Sequence, residues 1–205
     1  MSGYILVVTG GMFSGKSEKL IDKCMKFKEY GKKKVKVYKP SCDDRFSDDE
    51  VVSRMGYRFP ATNIPEKITN EVMHRILLET EDIDIVGFDE AQFYSKNIMK
   101  LVSELAYRGK YVIIAGLNMD YRGKEFGYIG GILAMADEII RLHSFCAVCG
   151  SDKGTHSQRL INGKPAGLDE PIILLGDSES YEPRCRKCFV PPEKVSNERE
   201  VQLSS

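Results

Sequence analysis

The stretch "GGMFSGKS", residues 10–17, directly follows the apolar run "YILVVT" at residues 4–9. After it, apolar residues recur between residues 15 and 30 at the intervals of one helix face, and Gly31 stands where a helix would end. A strand, a glycine-rich turn and a helix in this order match the phosphate-binding pattern G-x-x-x-x-G-K-[ST]. The sequence therefore predicts a nucleotide-binding loop, against the alternative of a glycine-rich turn with a chance lysine.

The chemistry of such a loop predicts which residues contact the nucleotide. Its backbone N–H groups close around phosphate oxygens, Lys16 neutralises the β- and γ-phosphates, and the Ser17 hydroxyl binds Mg²⁺. A second strand pattern, "IDIVGF" at residues 83–88, ends at Asp89, where a parallel sheet carries functional groups. Ser17 and Asp89 are the predicted magnesium ligands. The predicted nucleotide contacts are Gly10, Gly11, Met12, Phe13, Ser14, Gly15, Lys16, Ser17, Asp89 and Gln92.

Glu90, next to Asp89, decides between classes of phosphate chemistry. In an ATPase it would orient water, and in a kinase it would accept the proton of an acceptor hydroxyl. The box "DEAQ" also occurs in similar form in helicases, but motors usually pair two nucleotide-binding lobes and this chain of 205 residues carries one such loop. Three hypotheses stay open on the residues alone: a kinase, a nucleic-acid-dependent ATPase and a zinc-containing nucleotide-binding regulator.

Composition limits the partners. Thirty basic residues balance thirty acidic ones, so no global field attracts nucleic acid or an anionic membrane. Apolar residues at 42% and charged residues at 29% are typical of a globular protein, and neither a signal-peptide pattern nor a long apolar span is recognisable. We therefore expect a cytoplasmic protein that binds neither nucleic acid nor membranes.

Four of the six cysteines form two pairs, "CAVC" (Cys146, Cys149) and "CRKC" (Cys185, Cys188). In a chain without a secretory signal, paired C-x-x-C units favour a metal over disulfides, although two redox pairs are the alternative. Four thiolates complete a tetrahedral zinc shell and leave no position for water, which predicts a structural site. Cys24 and Cys42 are expected to be free thiols without chemistry.

Strand and helix patterns alternate along most of the chain, among them a helix pattern, "NEVMHRILLE" at 70–79, and a buried-strand pattern, "YVIIAGL" at 111–117. This order predicts an α/β fold with a doubly wound, mostly parallel sheet of the P-loop (RecA-like) type, and a small C-terminal lobe held by zinc. The predicted domains are a nucleotide-binding domain at residues 1–143, a zinc-binding lobe at 144–190 and a weakly ordered tail at 191–205. The polar stretch at residues 41–56 is predicted to be irregular.

The ordered motifs resemble those of the zinc-containing thymidine kinases. The resemblance rests on "GGMFSGKS", "DDRF", "DEAQF", "GLNMDYRGKEFG", "CAVC" and "YEPRCRKC", and it covers nearly the whole chain. It implies transfer of the γ-phosphoryl group of ATP to the 5′-hydroxyl of thymidine or deoxyuridine, with Mg²⁺. It further implies that Glu90 is the general base and that Arg45 stabilises the phosphoryl group, whereas the residues alone equally allow a solvated loop arginine.

The same resemblance implies the surroundings of the nucleoside. Segment 160–184, held between the cysteine pairs, would form a lasso loop over the base. The implied substrate contacts are Met12, Phe93, Leu117, Tyr121, Phe126, Ser157, Ile172, Leu174, Gly176 and Tyr181. On the residues alone, Tyr121 and Phe126 either line a base pocket or merely pack within a loop. The resemblance also implies a homotetramer and feedback inhibition by thymidine triphosphate.

Three residues depart from the pattern of that family. Arg54 stands where histidine is frequent, Asn118 where aspartate is common and Glu125 where proline is common. None of the three belongs to the phosphate loop, the acidic pair or the cysteine pairs. We therefore expect the substrate class to hold while specificity and loop behaviour differ in detail.

Overall fold

The protein is described by a computed structural model that covers residues 3–43, 49–172 and 181–192. In chain order the strands are β1 (Tyr4–Gly10), β2 (Val35–Pro40), β3 (Glu50–Val52), β4 (Arg58–Pro60), β5 (Thr62–Ile64), β6 (Ile85–Phe88), β7 (Tyr111–Leu117), β8 (Glu138–Leu142), β9 (His156–Ile161), β10 (Lys164–Pro165) and β11 (Tyr181–Arg184). The helices are α1 (Lys16–Glu29), α2 (Asn70–Glu79), α3 (Asn97–Tyr107) and α4 (Ile129–Met135).

A six-stranded sheet forms the centre of the molecule, in the order β5-β2-β6-β7-β1-β8. Every neighbouring pair in it is parallel. The predicted α/β class with a mostly parallel sheet is therefore confirmed. Because parallel strands end at the same edge, the carboxyl ends of β1, β6 and β7 bring the residues that follow them to one side of the sheet.

Helices cover both faces of this sheet, which explains why its central strands are apolar runs rather than alternating patterns. On one face, Leu20 and Ile21 of α1 pack with Val8 of β1. On the other face, α2, α3 and α4 contribute a larger cluster that includes Ile76 and Leu101. The sheet is thus buried between two layers, and the ends of its strands are where chemistry is accessible.

The segment predicted to be irregular contains β3, the first strand of a short hairpin. β3 pairs antiparallel with β4, and the alternating residues Val51 and Phe59 are buried. Lys28 of α1 lies over the Phe59 ring at 5.7 Å from its centroid, so the hairpin packs across that helix. The sequence pattern missed these strands because each contains only one buried side chain among polar neighbours.

The C-terminal part builds a separate, three-stranded antiparallel sheet in the order β10-β9-β11. Gln158 of β9 is buried and pairs with the backbone of Val190 in both directions, accepting from its N–H at 2.8 Å and donating to its carbonyl at 3.2 Å. The end of the described chain is therefore fastened to β9. The domain limits at 143 and 190 stay predictions, and the predicted tail lies almost wholly outside the described residues.

Helix length and polarity bear on membrane spanning. Among the described residues, none of the helices is both long and apolar enough to cross a bilayer.

Candidate active site

The phosphate loop is a tight turn between β1 and α1. Gly15 has a left-handed backbone, φ 83°, immediately before α1 begins, and Gly10 leaves no space for a side chain, since a Cβ there would lie 2.3 Å from the Leu142 carbonyl oxygen of β8. The Lys16 ammonium donates to the Gly11 carbonyl oxygen at 2.9 Å, and the Ser14 hydroxyl donates to the same oxygen at 2.8 Å. The loop is thus curled with its lysine lying across it, at the N-terminus of α1.

Asp89 and Ser17 meet beside this loop. Asp89 directly follows β6, is 3% exposed, and accepts a hydrogen bond from the Ser17 hydroxyl. Burial, together with the negative charge of neighbouring Glu90, raises the pKa of Asp89 from 3.8 to about 7. A cation bound nearby would lower the pKa of Asp89 again. The two oxygen ligands therefore fit a magnesium ion, which prefers hard carboxylate and hydroxyl donors.

Glu90 is held in an unusual backbone conformation. Its φ of 45° and ψ of 42° lie in the left-handed region, which is costly for a residue with a side chain and is frequently found at functional sites. Its carboxylate accepts from the Gln92 side-chain amide at 2.5 Å, and the oxygen of that amide accepts from the Leu117 N–H of β7 at 2.9 Å. The buried Gln92 thus fixes Glu90 relative to the end of a second strand.

A cleft of about 460 Å³ opens beside Gln92, the hydrogen-bond partner of Glu90. Its walls include three predicted substrate contacts, Phe93, Phe126 and Ile172, and the rings of Phe93 and Phe126 meet edge to face at 5.7 Å. Its other lining residues are Glu66, Lys67, Gln92, Tyr94, Ser95, Asp120, Arg122, Glu125, Gly127 and Tyr128. An aromatic cleft with polar groups on its rim is suited to a flat base carrying hydrogen-bonding groups.

Two other predicted contacts, Met12 and Ser157, are brought together from distant parts of the chain. The Met12 N–H donates to the Ser157 hydroxyl oxygen at 2.9 Å. Gly11 also packs against β9, because a Cβ there would lie 3.5 Å from the Thr155 carbonyl. The C-terminal sheet thus rests directly on the phosphate loop.

The remaining predicted substrate contacts lie in different surroundings. Leu117 is buried at the end of β7, and Tyr181 begins β11 opposite Arg159 of β9. Tyr121 is buried, and its hydroxyl lies against backbone carbonyls of residues 167–170. The predicted residues Arg45, Leu174 and Gly176 lie outside the described residues.

The four paired cysteines converge at the end of the C-terminal sheet where β9 begins and β11 ends. Within the described part of the chain their sulfurs lie within 4.8 Å of one another, and those of Cys149 and Cys185 are 3.7 Å apart. Four sulfurs at about 2.3 Å from a common zinc ion would be about 3.8 Å apart. The backbone N–H of Cys185 holds the pKa of Cys146 down, at about 6, which favours the thiolate that a metal requires. Donor type, number and spacing therefore fit structural zinc.

The match to a known protein family spans the elements that build this site. A family model described as thymidine kinase matches residues 3–189, from β1 through the second cysteine pair. The chain belongs to the thymidine kinase family. That family consists of kinases, which are transferases that use ATP.

A comparison of folds adds little to the thymidine kinase assignment. Domain III of the replication initiation protein DnaA from Thermotoga maritima superposes with a TM-score of 0.38 at 15% identity. The aligned part is 68% of this chain, and the chain spans 55% of that domain. A partial likeness at this level carries no argument about fold or activity.

Two of the three departures from the thymidine kinase pattern, Arg54 and Glu125, make contacts through their side chains, whereas Asn118 makes its contact through the backbone, as any residue there would. The Arg54 guanidinium lies 4.0 Å from the centroid of the Phe13 ring, so the β3–β4 hairpin touches the phosphate loop through a cation–π contact. The Glu125 carboxylate accepts from the Gly130 N–H in the first turn of α4. The Asn118 carbonyl accepts from the Phe126 N–H at 3.3 Å, which closes the loop that carries Tyr121.

Sequence reasoning missed two features of this thymidine kinase family member. It predicted Gln92 as a nucleotide contact, which stays a prediction, but did not predict that its side chain bridges Glu90 and Leu117. It did not predict any role for Arg159, which is buried, with 3% of its surface exposed. The acidic box pointed to the first feature only by proximity, and the second had no signal, because the sequence "HSQRLI" of β9 does not alternate between apolar and polar residues.

Proposed function

We propose that this chain is an ATP:thymidine 5′-phosphotransferase, a thymidine kinase that acts on thymidine and deoxyuridine to supply nucleoside monophosphates for DNA precursor salvage. One observation supports the proposal: Glu90, with its strained backbone, directly follows the buried Asp89 and is hydrogen-bonded to Gln92, which lines an aromatic cleft. An ATPase acting on water has no need of such a cleft beside its acidic pair.

On this proposal ATP occupies the loop at residues 10–17. Backbone N–H groups of the loop and the N-terminus of α1 bind its phosphates, and Lys16 exchanges the Gly11 carbonyl for phosphate oxygens. Ser17 and Asp89 hold Mg²⁺, which neutralises charge on the β- and γ-phosphates when bound. Neutralisation of the phosphates favours attack by an oxygen nucleophile.

Phosphoryl transfer then needs one proton acceptor. The nucleoside 5′-oxygen bonds to the γ-phosphorus, the bond from that phosphorus to the β,γ-bridging oxygen breaks, and ADP leaves with the electron pair. Glu90 takes the 5′-hydroxyl proton, and Gln92 keeps its carboxylate oriented during this step. The proposal assigns Arg45 to stabilising the transferred group.

The nucleoside base is proposed to pack against Phe93 and Phe126, whose rings meet each other edge to face. Further contacts are assigned to Met12, Leu117, Tyr121, Ser157, Ile172, Leu174, Gly176 and Tyr181. Structural zinc in the four-cysteine site keeps β9 and β11 together, and so supports the chain segment over the base. The wider proposal includes a cytoplasmic homotetramer inhibited by thymidine triphosphate, with no nucleic-acid or membrane partner.

A nucleoside acceptor assay tests the proposal. Purified protein is incubated with ATP and Mg²⁺, together with thymidine, deoxyuridine, deoxycytidine, single-stranded DNA or no acceptor, and both ADP and nucleotide products are measured. We expect ADP and monophosphate in equal amounts with thymidine and deoxyuridine. DNA-stimulated hydrolysis without nucleoside phosphorylation would indicate a motor, and ATP binding without turnover would indicate a regulator; either result contradicts the proposal.

A further inference from the structure

The hydroxyl of Tyr121 is directed at the backbone of the chain segment 167–172. It lies 3.1 Å from the carbonyl oxygen of Gly167, 3.3 Å from that of Leu168 and 2.9 Å from that of Glu170. A phenol has one proton to donate, so it is shared among three converging acceptors. The Tyr121 ring is 2% exposed, which fixes the direction of this donor.

Arg159 binds the same segment from the other side. Its guanidinium donates to the Pro171 carbonyl oxygen at 2.5 Å, and its own backbone carbonyl accepts from the Ala166 N–H at 3.0 Å. The guanidinium carbon lies 5.5 Å from the centroid of the Tyr121 ring. The two side chains therefore form one contact group around residues 166–171.

Burial of Arg159 is costly for the fold. The residue is 3% exposed, and its Nε is a buried nitrogen without a hydrogen-bond partner in the described part of the chain. A buried guanidinium with an unsatisfied N–H destabilises a fold unless its remaining contacts compensate. The contacts that the structure does provide are the Tyr121 ring and the backbone of segment 167–172, so the arginine is used to hold that segment.

The segment ends at the cleft. Ile172 lines it opposite the loop that carries Tyr121, Arg122 and Phe126. A hydrogen bond from Tyr121 to the backbone of 167–170 thus joins two walls of the same cleft, one from the β7–α4 connection and one from the connection after β10. The distance between these two walls, and so the width of the cleft, depends on the hydrogen bond from Tyr121.

We propose that Tyr121 and Arg159 are positioning residues that hold segment 167–172 against the cleft and thereby set its affinity for the nucleoside. The inference rests on the proposed function in so far as the cleft is the nucleoside site. It gives the Tyr121 hydroxyl a task distinct from substrate contact, because its proton is directed at the backbone of the chain. The aromatic ring of Tyr121 packs against its neighbours, and its hydroxyl oxygen affects the cleft through segment 167–172.

The test compares Tyr121→Phe, which removes only the oxygen, with Tyr107→Phe, which removes the same atom from a residue 87% exposed on α3. Loss of one net hydrogen bond corresponds to about a two- to tenfold change. We expect Tyr121→Phe to raise the KM for thymidine by that factor, with a smaller change in kcat and none in the KM for ATP. Arg159→Met is expected to act in the same direction, and Tyr107→Phe to change nothing.

Hydrogen exchange without substrates provides the second readout. We expect faster exchange in peptides covering residues 162–172 of Tyr121→Phe, and unchanged exchange in β1 and β7. An unchanged KM for thymidine, an equal rise in both KM values, or unchanged exchange in 162–172 would overturn the inference. If the parent protein phosphorylates no nucleoside, the proposed function fails, and the exchange measurement alone decides whether these residues hold the segment. If Arg159→Met does not fold, Tyr121→Phe decides.

Discussion

The proposed phosphate side of the active site and its proposed nucleoside side are built by different means. On the phosphate side, Lys16, Ser17 and Asp89 stand at the ends of regular elements, and parallel strand pairing places them. On the nucleoside side, residues 167–171 are held by side chains that bind their backbone carbonyls, and a cluster of thiols joins the chain before β9 to the chain after β11. The first arrangement follows from local order along the chain, and the second depends on contacts between residues far apart in sequence.

Removal of the metal site should distinguish the two sides most clearly, because we expect it to affect nucleoside binding far more than ATP binding. In Cys185→Ser we expect loss of zinc, rapid hydrogen exchange in β9 and β11, and loss of thymidine binding, because structural zinc contributes about 10–16 kcal/mol to small zinc-dependent folds. ATP affinity should fall far less, since β1, β6 and β7 do not depend on the metal. Elemental analysis, exchange and binding titrations measure these quantities.

Cys24→Ala is the control for the loss of a thiol, because Cys24 is packed against the sheet outside the cluster. It should keep about one zinc per chain. Full thymidine turnover in zinc-free Cys185→Ser would contradict the structural role of the metal.

The second prediction concerns the catalytic step between the two sides. Glu90→Gln should lower kcat by about 10²- to 10⁴-fold, because an amide cannot accept the 5′-hydroxyl proton. ATP affinity should stay close to that of the parent, since the phosphate loop is unchanged. The matched control is Glu104→Gln on α3, where the carboxylate pairs with Arg108 at the surface. Parental turnover in Glu90→Gln would remove this residue from the role of base.

The third prediction concerns the phosphate side alone. The pKa of Asp89 is raised from 3.8 to about 7 in the folded state, so the folded protein binds this proton more tightly than the unfolded chain. Stability should therefore decline as pH rises from about 4 to about 7, and stay lower above it. Asp89→Asn removes the titrating carboxylate, and with it the decline in stability. Without Mg²⁺ or nucleotide, this variant should therefore melt several degrees higher than the parent protein at pH 8.

Thermal unfolding of both proteins between pH 5 and pH 8 measures this effect. The advantage of Asp89→Asn should grow with pH, while Asp82→Asn, an exposed carboxylate before β6, should show no such trend. An advantage that is equal at both pH values, or a less stable Asp89→Asn at pH 8, would contradict the prediction.

The smallest effect is expected where the two sides touch. Ser157→Ala removes the acceptor of the Met12 N–H, and should raise the KM for ATP by about two- to tenfold through a less ordered phosphate loop. Ser157→Thr keeps the hydroxyl and should restore the parental value. If only the KM for thymidine changes, the hydroxyl acts on the nucleoside and not through the loop.

The contrast between the phosphate side and the nucleoside side also explains which parts of the structure the sequence predicts well. The apolar run at 111–117 and the amphipathic pattern at 70–79 match β7 and α2 to the residue, because a buried strand and a capped helix each have a strong local period. The phosphate loop is contiguous, so its pattern identifies it directly. The convergence of the cysteine pairs also follows from residue type, since their spacing has few other uses.

Residues that act through distant partners could not be predicted in the same way. Met12 and Ser157 lie 145 positions apart, and nothing local marks their hydrogen bond. The roles of Gln92 and Arg159 depend on which backbone group lies opposite them, which is decided by tertiary packing. The site residues were named from their motifs, and their assigned roles stay predictions.

The hydrogen bond between Met12 and Ser157 also limits how the two substrates can bind. A peptide group of the phosphate loop is shared with the strand that supports the nucleoside side, so a ligand that shifts one changes the free energy of the other. Linkage makes such a coupling reciprocal: the factor by which ATP alters the affinity for the nucleoside equals the factor by which the nucleoside alters the affinity for ATP. On the proposed function, each substrate therefore has two dissociation constants, one for each occupancy of the other site.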